Sequence, residues 1–140
     1  MDTNIQQLIL GTWTYRSLLN NPDLSADFDS LEFGRANLRF DPAPPGIIQG
    51  LIYGDGWQLN LFGSIQYGTP GTVWFQGKGI VGGSEWIYDY LCYLVPNIPN
   101  GVNQVPAMVG SITRAIPHPS SGGGTSPAGV VASFYAVRQS

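Results

Sequence analysis

Eight runs rich in β-branched and aromatic residues take up most of this 140-residue chain: "TWTYRSLL", "LEFGRANLRF", "IIQGLIY", "WQLNLFGSIQY", "TVWFQGKGIV", "EWIYDYLCYLV", "VPAMVGSITRAI" and "VVASFYAVR". Turn formers separate them, among them "DPAPPG", "GDG", "GTPG" and "GGS". Short glycine-bearing separators favour hairpins between successive strands, and the spacing is that of all-β barrels and sandwiches. No long amphipathic stretch has a helical period. This argues against a parallel sheet, whose strands need crossover segments. Only residues 2–8, "DTNIQQL", read as a turn of helix, with Asp2 or Thr3 as its cap.

Within the runs the phase is legible. Trp57, Leu59, Leu61, Gly63, Ile65 and Tyr67 fall on one face; Gln58, Asn60, Ser64 and Gln66 fall on the other. That period of two is what a half-buried strand writes. Gly34, Ala36, Leu38 and Phe40 likewise oppose Arg35, Asn37 and Arg39. Glycines recur inside strands at Gly50, Gly63, Gly77, Gly79 and Gly110, where they permit the sharp bends that a small closed barrel needs at its corners. The expectation is an all-β fold, an eight-stranded antiparallel up-and-down β-barrel, in one domain over residues 1–140. A two-sheet sandwich is the alternative, because periodicity does not report closure.

Composition narrows the partners. Charged residues make up only 11% of the chain, the net charge is −3, and no run of Lys or Arg occurs. The cationic stripe that a nucleic-acid partner requires is therefore missing. No segment is long and apolar enough for a bilayer-spanning helix, and the N-terminus lacks a basic, then apolar, leader. Cys92 is the single cysteine, which rules out an intrachain disulfide and a structural zinc set. The reading is a cytoplasmic protein with no nucleic-acid or membrane partner, no cofactor and no metal.

If successive strands alternate in direction, the first rises from Trp13 and the eighth descends to Arg138. An even strand count brings both residues to one end, and closure makes their strands neighbours. The Arg138 guanidinium is then expected over the indole, a cation–π contact worth about 0.5–2 kcal/mol that plugs this end. Gly11-Thr12-Trp13 together with Arg138 resembles the calycin superfamily of lipocalins, fatty-acid-binding proteins and avidins. Lipocalin-like members carry Gly-x-Trp at the start of the first strand and a late arginine packed across that tryptophan. The resemblance implies a calycin-like barrel, structural roles for Gly11, Trp13 and Arg138, and a broad binding role for the interior. The Thr-Asp-Tyr element of lipocalins and the arginine pair that grips fatty-acid carboxylates have no counterpart here, so no ligand is named by it.

The opposite end collects the loops around residues 20–30, 54–56, 82–84 and 117–128 and forms the open mouth. It carries Asp23, Asp27, Asp29, Asp55, Glu85 and His118. An acidic rim favours neutral or cationic ligands over fatty acids, although loop carboxylates equally serve to keep loop tips solvated. His118, the only histidine, lies between Pro117 and Pro119 and reads as a rigid, solvated turn residue. No nucleophile or phosphate motif accompanies it. The stretch "HPSSGGGTSPAG" reads as a flexible loop tip.

In "EWIYDYLCYLV" both faces are apolar. One phase turns Trp86, Tyr88, Tyr90, Cys92 and Leu94 inward and leaves Asp89 outside. The other buries Asp89 as a candidate general base. The first is preferred, so the cavity walls include Tyr15, Phe40, Trp57, Leu59, Leu61, Tyr67, Trp86, Tyr88 and Tyr90. The expected function is the binding of a small hydrophobic or aromatic molecule, without catalysis. One alternative is a barrel enzyme that isomerises or cyclises its substrate with Asp89 or a tyrosine as proton carrier. The other is a filled barrel used only for assembly. Outward-facing Phe62, Trp74, Ile87, Leu91, Tyr93 and Val109 form an exterior apolar patch, from which a two-fold homodimer is expected. "PNIPNGVNQVP" falls at the closed end and reads as a structural clamp.

Overall fold

Period-two alternation carries directly into the architecture. The computed structural model describes residues 4–120 and 122–139, so the expected cap at Asp2 or Thr3 lies outside the described residues. In chain order the elements are α1 (Asn4–Ile9), β1 (Gly11–Leu19), α2 (Phe28–Leu31), β2 (Glu32–Phe40), β3 (Ile47–Gly54), β4 (Trp57–Gln66), β5 (Thr72–Val81), β6 (Ser84–Leu94), β7 (Ala107–Arg114), β8 (His118–Pro119), β9 (Thr125–Ser126) and β10 (Val131–Arg138). Eight of the strands close into a barrel in the order β1-β10-β7-β6-β5-β4-β3-β2, with successive neighbours antiparallel. β1 and β10 pair continuously from Trp13↔Arg138 to Leu19↔Ala132. That seam decides for a barrel over a sandwich.

β4 illustrates how the sequence builds the wall. Leu59, Leu61 and Ile65 are buried while Gln58, Asn60, Ser64 and Gln66 face outward. Gly63 lies hard against β5: a Cβ there would run into the Trp74 carbonyl and the Phe75 backbone. Gly110 has the same relation to the Leu91 carbonyl across β6 and β7. These positions take glycine because the neighbouring backbone occupies the side-chain space.

The end where β1 begins is packed solid. Helix α1 turns Ile5 and Ile9, four residues apart on one helical face, into the barrel. Trp13 is wholly buried, its Nε1 donates to the Ile9 carbonyl at 2.8 Å, and its ring meets Phe40 edge to face. Gln6 ties the helix to the β2–β3 loop by donating to the Pro44 carbonyl and accepting from the Gly46 amide.

Arg138 differs from expectation. It lies opposite Trp13 in register, but its guanidinium donates to the Leu8 carbonyl at 2.9 Å and packs against Gly11. The cation–π contacts among the described residues involve Arg16 and Arg114 instead. The reason is α1: its last carbonyls lack intrahelical partners, and a cation at a helix C-terminus satisfies them better than an indole face does. Gly11, at φ +111°, adopts a backbone conformation that side chains disfavour, and the guanidinium packs beside it.

The segment between β6 and β7 also lies at this end. Gln104 accepts from the Ile98 amide and donates to the Ile98 carbonyl, closing the loop on itself as a clamp.

Candidate functional site

Above the packed layer of Trp13, Phe40 and Phe75, the barrel opens. An inner chamber of about 240 Å³ is lined by Tyr15, Ser17, Phe33, Gly34, Arg35, Ala36, Ile52, Trp57, Leu59, Trp86, Tyr88, Tyr90 and Ile112. Its floor is aromatic. Tyr90 stacks on Phe75 at 4.7 Å, and Tyr15 packs against Phe134 at 5.1 Å. The interior is thus neither wholly filled nor wholly open: the plug half is core and the mouth half is chamber.

Six of the nine expected wall residues, Tyr15, Trp57, Leu59, Trp86, Tyr88 and Tyr90, line this chamber. Phe40 and Leu61 point inward but lie in the buried core outside it. Tyr67 is placed elsewhere. β4 ends at Gln66, so the alternation that assigned Tyr67 inward runs past the strand. Its ring is exposed at the plug end, with its hydroxyl 3.4 Å from Gln6 Oε1.

The inner chamber meets an outer vestibule of about 550 Å³, and Phe33, Trp86 and Tyr88 line both spaces. β8 and β9 form one wall of the vestibule. The expectation of a solvated His118 is overturned here. His118 is buried, stacked on the Trp86 indole at 3.8 Å with the planes 9° apart. Pro117 and Pro119 hold the chain extended, and pairing of His118 with Ser126 turns the imidazole down over the mouth. The glycine-rich stretch is therefore a short ribbon folded onto β6.

His118 joins a directed hydrogen-bond chain. Nδ1 lies 3.1 Å from the Pro119 carbonyl, which only accepts, so in the neutral imidazole Nδ1 carries the proton and Nε2 is the acceptor. Tyr88 Oη, 2.8 Å away, then donates to Nε2. Arg114 Nε donates to the same Tyr88 oxygen at 3.0 Å, and its Nη1 donates to the Pro127 carbonyl. The Arg114 guanidinium also lies over the Phe33 ring at 5.1 Å. Arginine, tyrosine and histidine thereby hold one another in place across β6, β7 and β8.

Deeper in the chamber Tyr15 has no such support. Its residue is 5% exposed and its hydroxyl has no hydrogen-bond partner among the described residues. Burial pushes its ionisation well above the ordinary phenol range, so it holds its proton. Neighbouring Ser17 pulls the other way, without reaching the geometry of a hydrogen bond. Ser17, wholly buried, donates to the Gly34 carbonyl at 3.3 Å.

Three of the rim carboxylates make local contacts. Asp23 accepts from the Ser25 amide and hydroxyl, which holds its carboxyl below the usual range. Asp27 caps α2, and Glu85 lies 3.7 Å from Lys78. Asp89 faces outward, as the preferred phase requires, and accepts from Gln76 at 2.9 Å. Phe62, Trp74, Leu91, Tyr93 and Val109 are exposed on the outer wall, while Ile87 is only half-exposed.

Sequence reading passed over Ser17, Phe33, Ile52, Ile112 and Arg114. Ser17 left a signal, being the one polar residue in phase with Trp13 and Tyr15 on β1. Among the described residues no helix is long and apolar enough to cross a membrane. Comparison with protein-family models, with curated proteins and with solved structures found no match.

Proposed function

We propose that this chain is a calycin-like, cytoplasmic binding protein that holds one small, largely aromatic or apolar molecule in the inner chamber. The observation that carries the reading is the chamber itself, a space of about 240 Å³ with mostly aromatic and aliphatic walls above a packed core. An apolar cavity of about 150 Å³ accepts benzene, so this one suits a molecule of one or two rings. Ligand sites of this kind combine apolar walls with a few placed polar groups, here Tyr15, Ser17 and Tyr88. The test is native mass spectrometry of protein isolated from its own host. A small-molecule adduct lost on denaturation supports the reading. Apoprotein alone, with no change in tryptophan fluorescence on titration with one- and two-ring aromatic compounds, overturns it.

One observation favours a second reading, an isomerase or cyclase. Tyr88 Oη lies between Arg114 Nε and His118 Nε2, and the residue lines both spaces. This is the arrangement of a tyrosine proton carrier with a relay behind it, and the outward Asp89 is not available for that role. Incubating the co-purified molecule with protein in D₂O separates the readings. Deuterium entering a carbon position, and lost in Tyr88→Phe, supports catalysis; no exchange in the wild type leaves binding alone.

A further inference from the structure

We infer that the vestibule seats an anionic group of the ligand, in its simplest form a carboxylate, on the Arg114 guanidinium, while the apolar part of the same molecule occupies the inner chamber. This rests on the binding reading above and adds the charge and the orientation of what is bound.

The lining is opposite in charge to the chain. The net charge is −3, yet no Asp or Glu lines either the chamber or the vestibule. The acidic loops that the sequence places at the mouth therefore do not set the sign of charge in the site. The arginines that line the two spaces are Arg35 and Arg114. Arg35 is exposed and already paired with Glu32. Arg114 is half-buried and has no carboxylate partner among the described residues.

Arg114 is also held ready. Nε donates to Tyr88 Oη, Nη1 donates to the Pro127 carbonyl, and the guanidinium lies over the Phe33 and Tyr88 rings at 5.1 and 5.8 Å. These contacts fix the group and leave Nη2 without a protein partner among the described residues. A fixed fork of N–H donors matches the oxygens of a carboxylate, and holding it in advance lowers the entropy cost of forming the pair. A further donor shares the space. The Ser120 and Ser126 hydroxyls lie 2.7 Å apart in the vestibule wall, and their one mutual hydrogen bond leaves one O–H free to donate. Phe33, Trp86 and Tyr88 line both spaces, so a ring held in the chamber can trail its anionic group past them to Arg114.

A matched pair of probes tests the inference: 3-phenylpropionate, and 3-phenylpropionamide, which has the same shape and no charge. Affinities for both are measured by calorimetry on the wild type, Arg114→Gln and Arg114→Lys. The wild type should favour the carboxylate by about tenfold. Arg114→Gln should erase that preference while leaving the amide within about twofold, and Arg114→Lys should keep part of it. Amide binding by the variants also reports that their chamber is folded. A second readout needs no variant: carbon-13 resonance of the labelled carboxyl group on the wild type. At the pH where half of the free acid is protonated, the bound probe should still show the carboxylate signal, because a neighbouring cation favours the ionised form. Equal wild-type affinities, equal effects of Arg114→Gln on the two probes, or a bound probe half protonated at that pH overturn the anion site while the chamber stands. Failure of the wild type to bind either probe overturns the chamber reading itself, and this inference with it.

Discussion

Replacing Trp13 by alanine should destabilise the barrel more than any surface change can. The indole is wholly buried beneath α1, donates to the Ile9 carbonyl and packs edge to face on Phe40. Truncating a fully buried tryptophan costs about 3–5 kcal/mol, a range that takes in the cost of leaving the helix-end carbonyl unmet. We take about 4 kcal/mol as the central expectation. For a chain of this length the unfolding entropy is about 0.3 kcal/mol/K, so Tm falls by about 13 °C. Trp13→Phe keeps most of the apolar surface and loses the N–H donor, and should cost about 1–2 kcal/mol, or roughly 5 °C. Calorimetric or fluorescence-detected melting of the three proteins side by side is the assay. A fall below about 4 °C for Trp13→Ala, or equal effects of the two substitutions, would refute an indole sealed into the end of a closed barrel.

Other expectations follow from particular contacts. Gly63→Ala drives a methyl group into the Trp74 carbonyl and Phe75 backbone, so urea unfolding should show a loss of about 2–3 kcal/mol; a loss under about 0.5 kcal/mol would mean that the strands are further apart. Burial pushes the Cys92 thiol from its ordinary value near 9 up to about 12. The folded state therefore holds this proton more tightly than the unfolded chain, and the stability it contributes, complete below pH 9, is lost as pH rises towards 12. At pH 10.5 the loss attributable to Cys92 should be about 2 kcal/mol, read as the difference in pH dependence between wild type and Cys92→Ala. The uncharged outer face of Phe62, Trp74, Leu91, Tyr93 and Val109 should be covered by a second copy of the chain in a two-fold dimer. Light scattering at micromolar concentration tests this, and a strict monomer would contradict it.

Alternation along each strand reports which side a residue faces, and that much of the barrel was readable. The inward sets of β2, β4 and β6, the burial of Trp13 and the adjacency of β1 and β10 all follow from period and parity. Height along the barrel axis does not, because it is set by register between strands. Phe40 and Leu61 share a phase with Tyr15 and Leu59 yet sit in the packed core outside the chamber. Tyr67 continues a pattern whose strand has already ended. His118 and Arg138 depart from expectation because a short element, and not the phase of a long strand, decides where each side chain goes. Arg138 meets the last turn of α1, and His118 is carried inward by a two-residue strand. Tyr15 was read as wall, but its missing partner becomes visible only when the neighbouring hydroxyls are placed.

The central claim is that the mouth half of a closed barrel holds a real chamber above a solid plug. Crystals equilibrated under xenon test it most directly, because xenon settles into apolar cavities. The account calls for a xenon site among Tyr15, Ile52, Leu59 and Tyr90, and none below Phe75. Side chains filling that space, or xenon bound only on the outer wall, would contradict it.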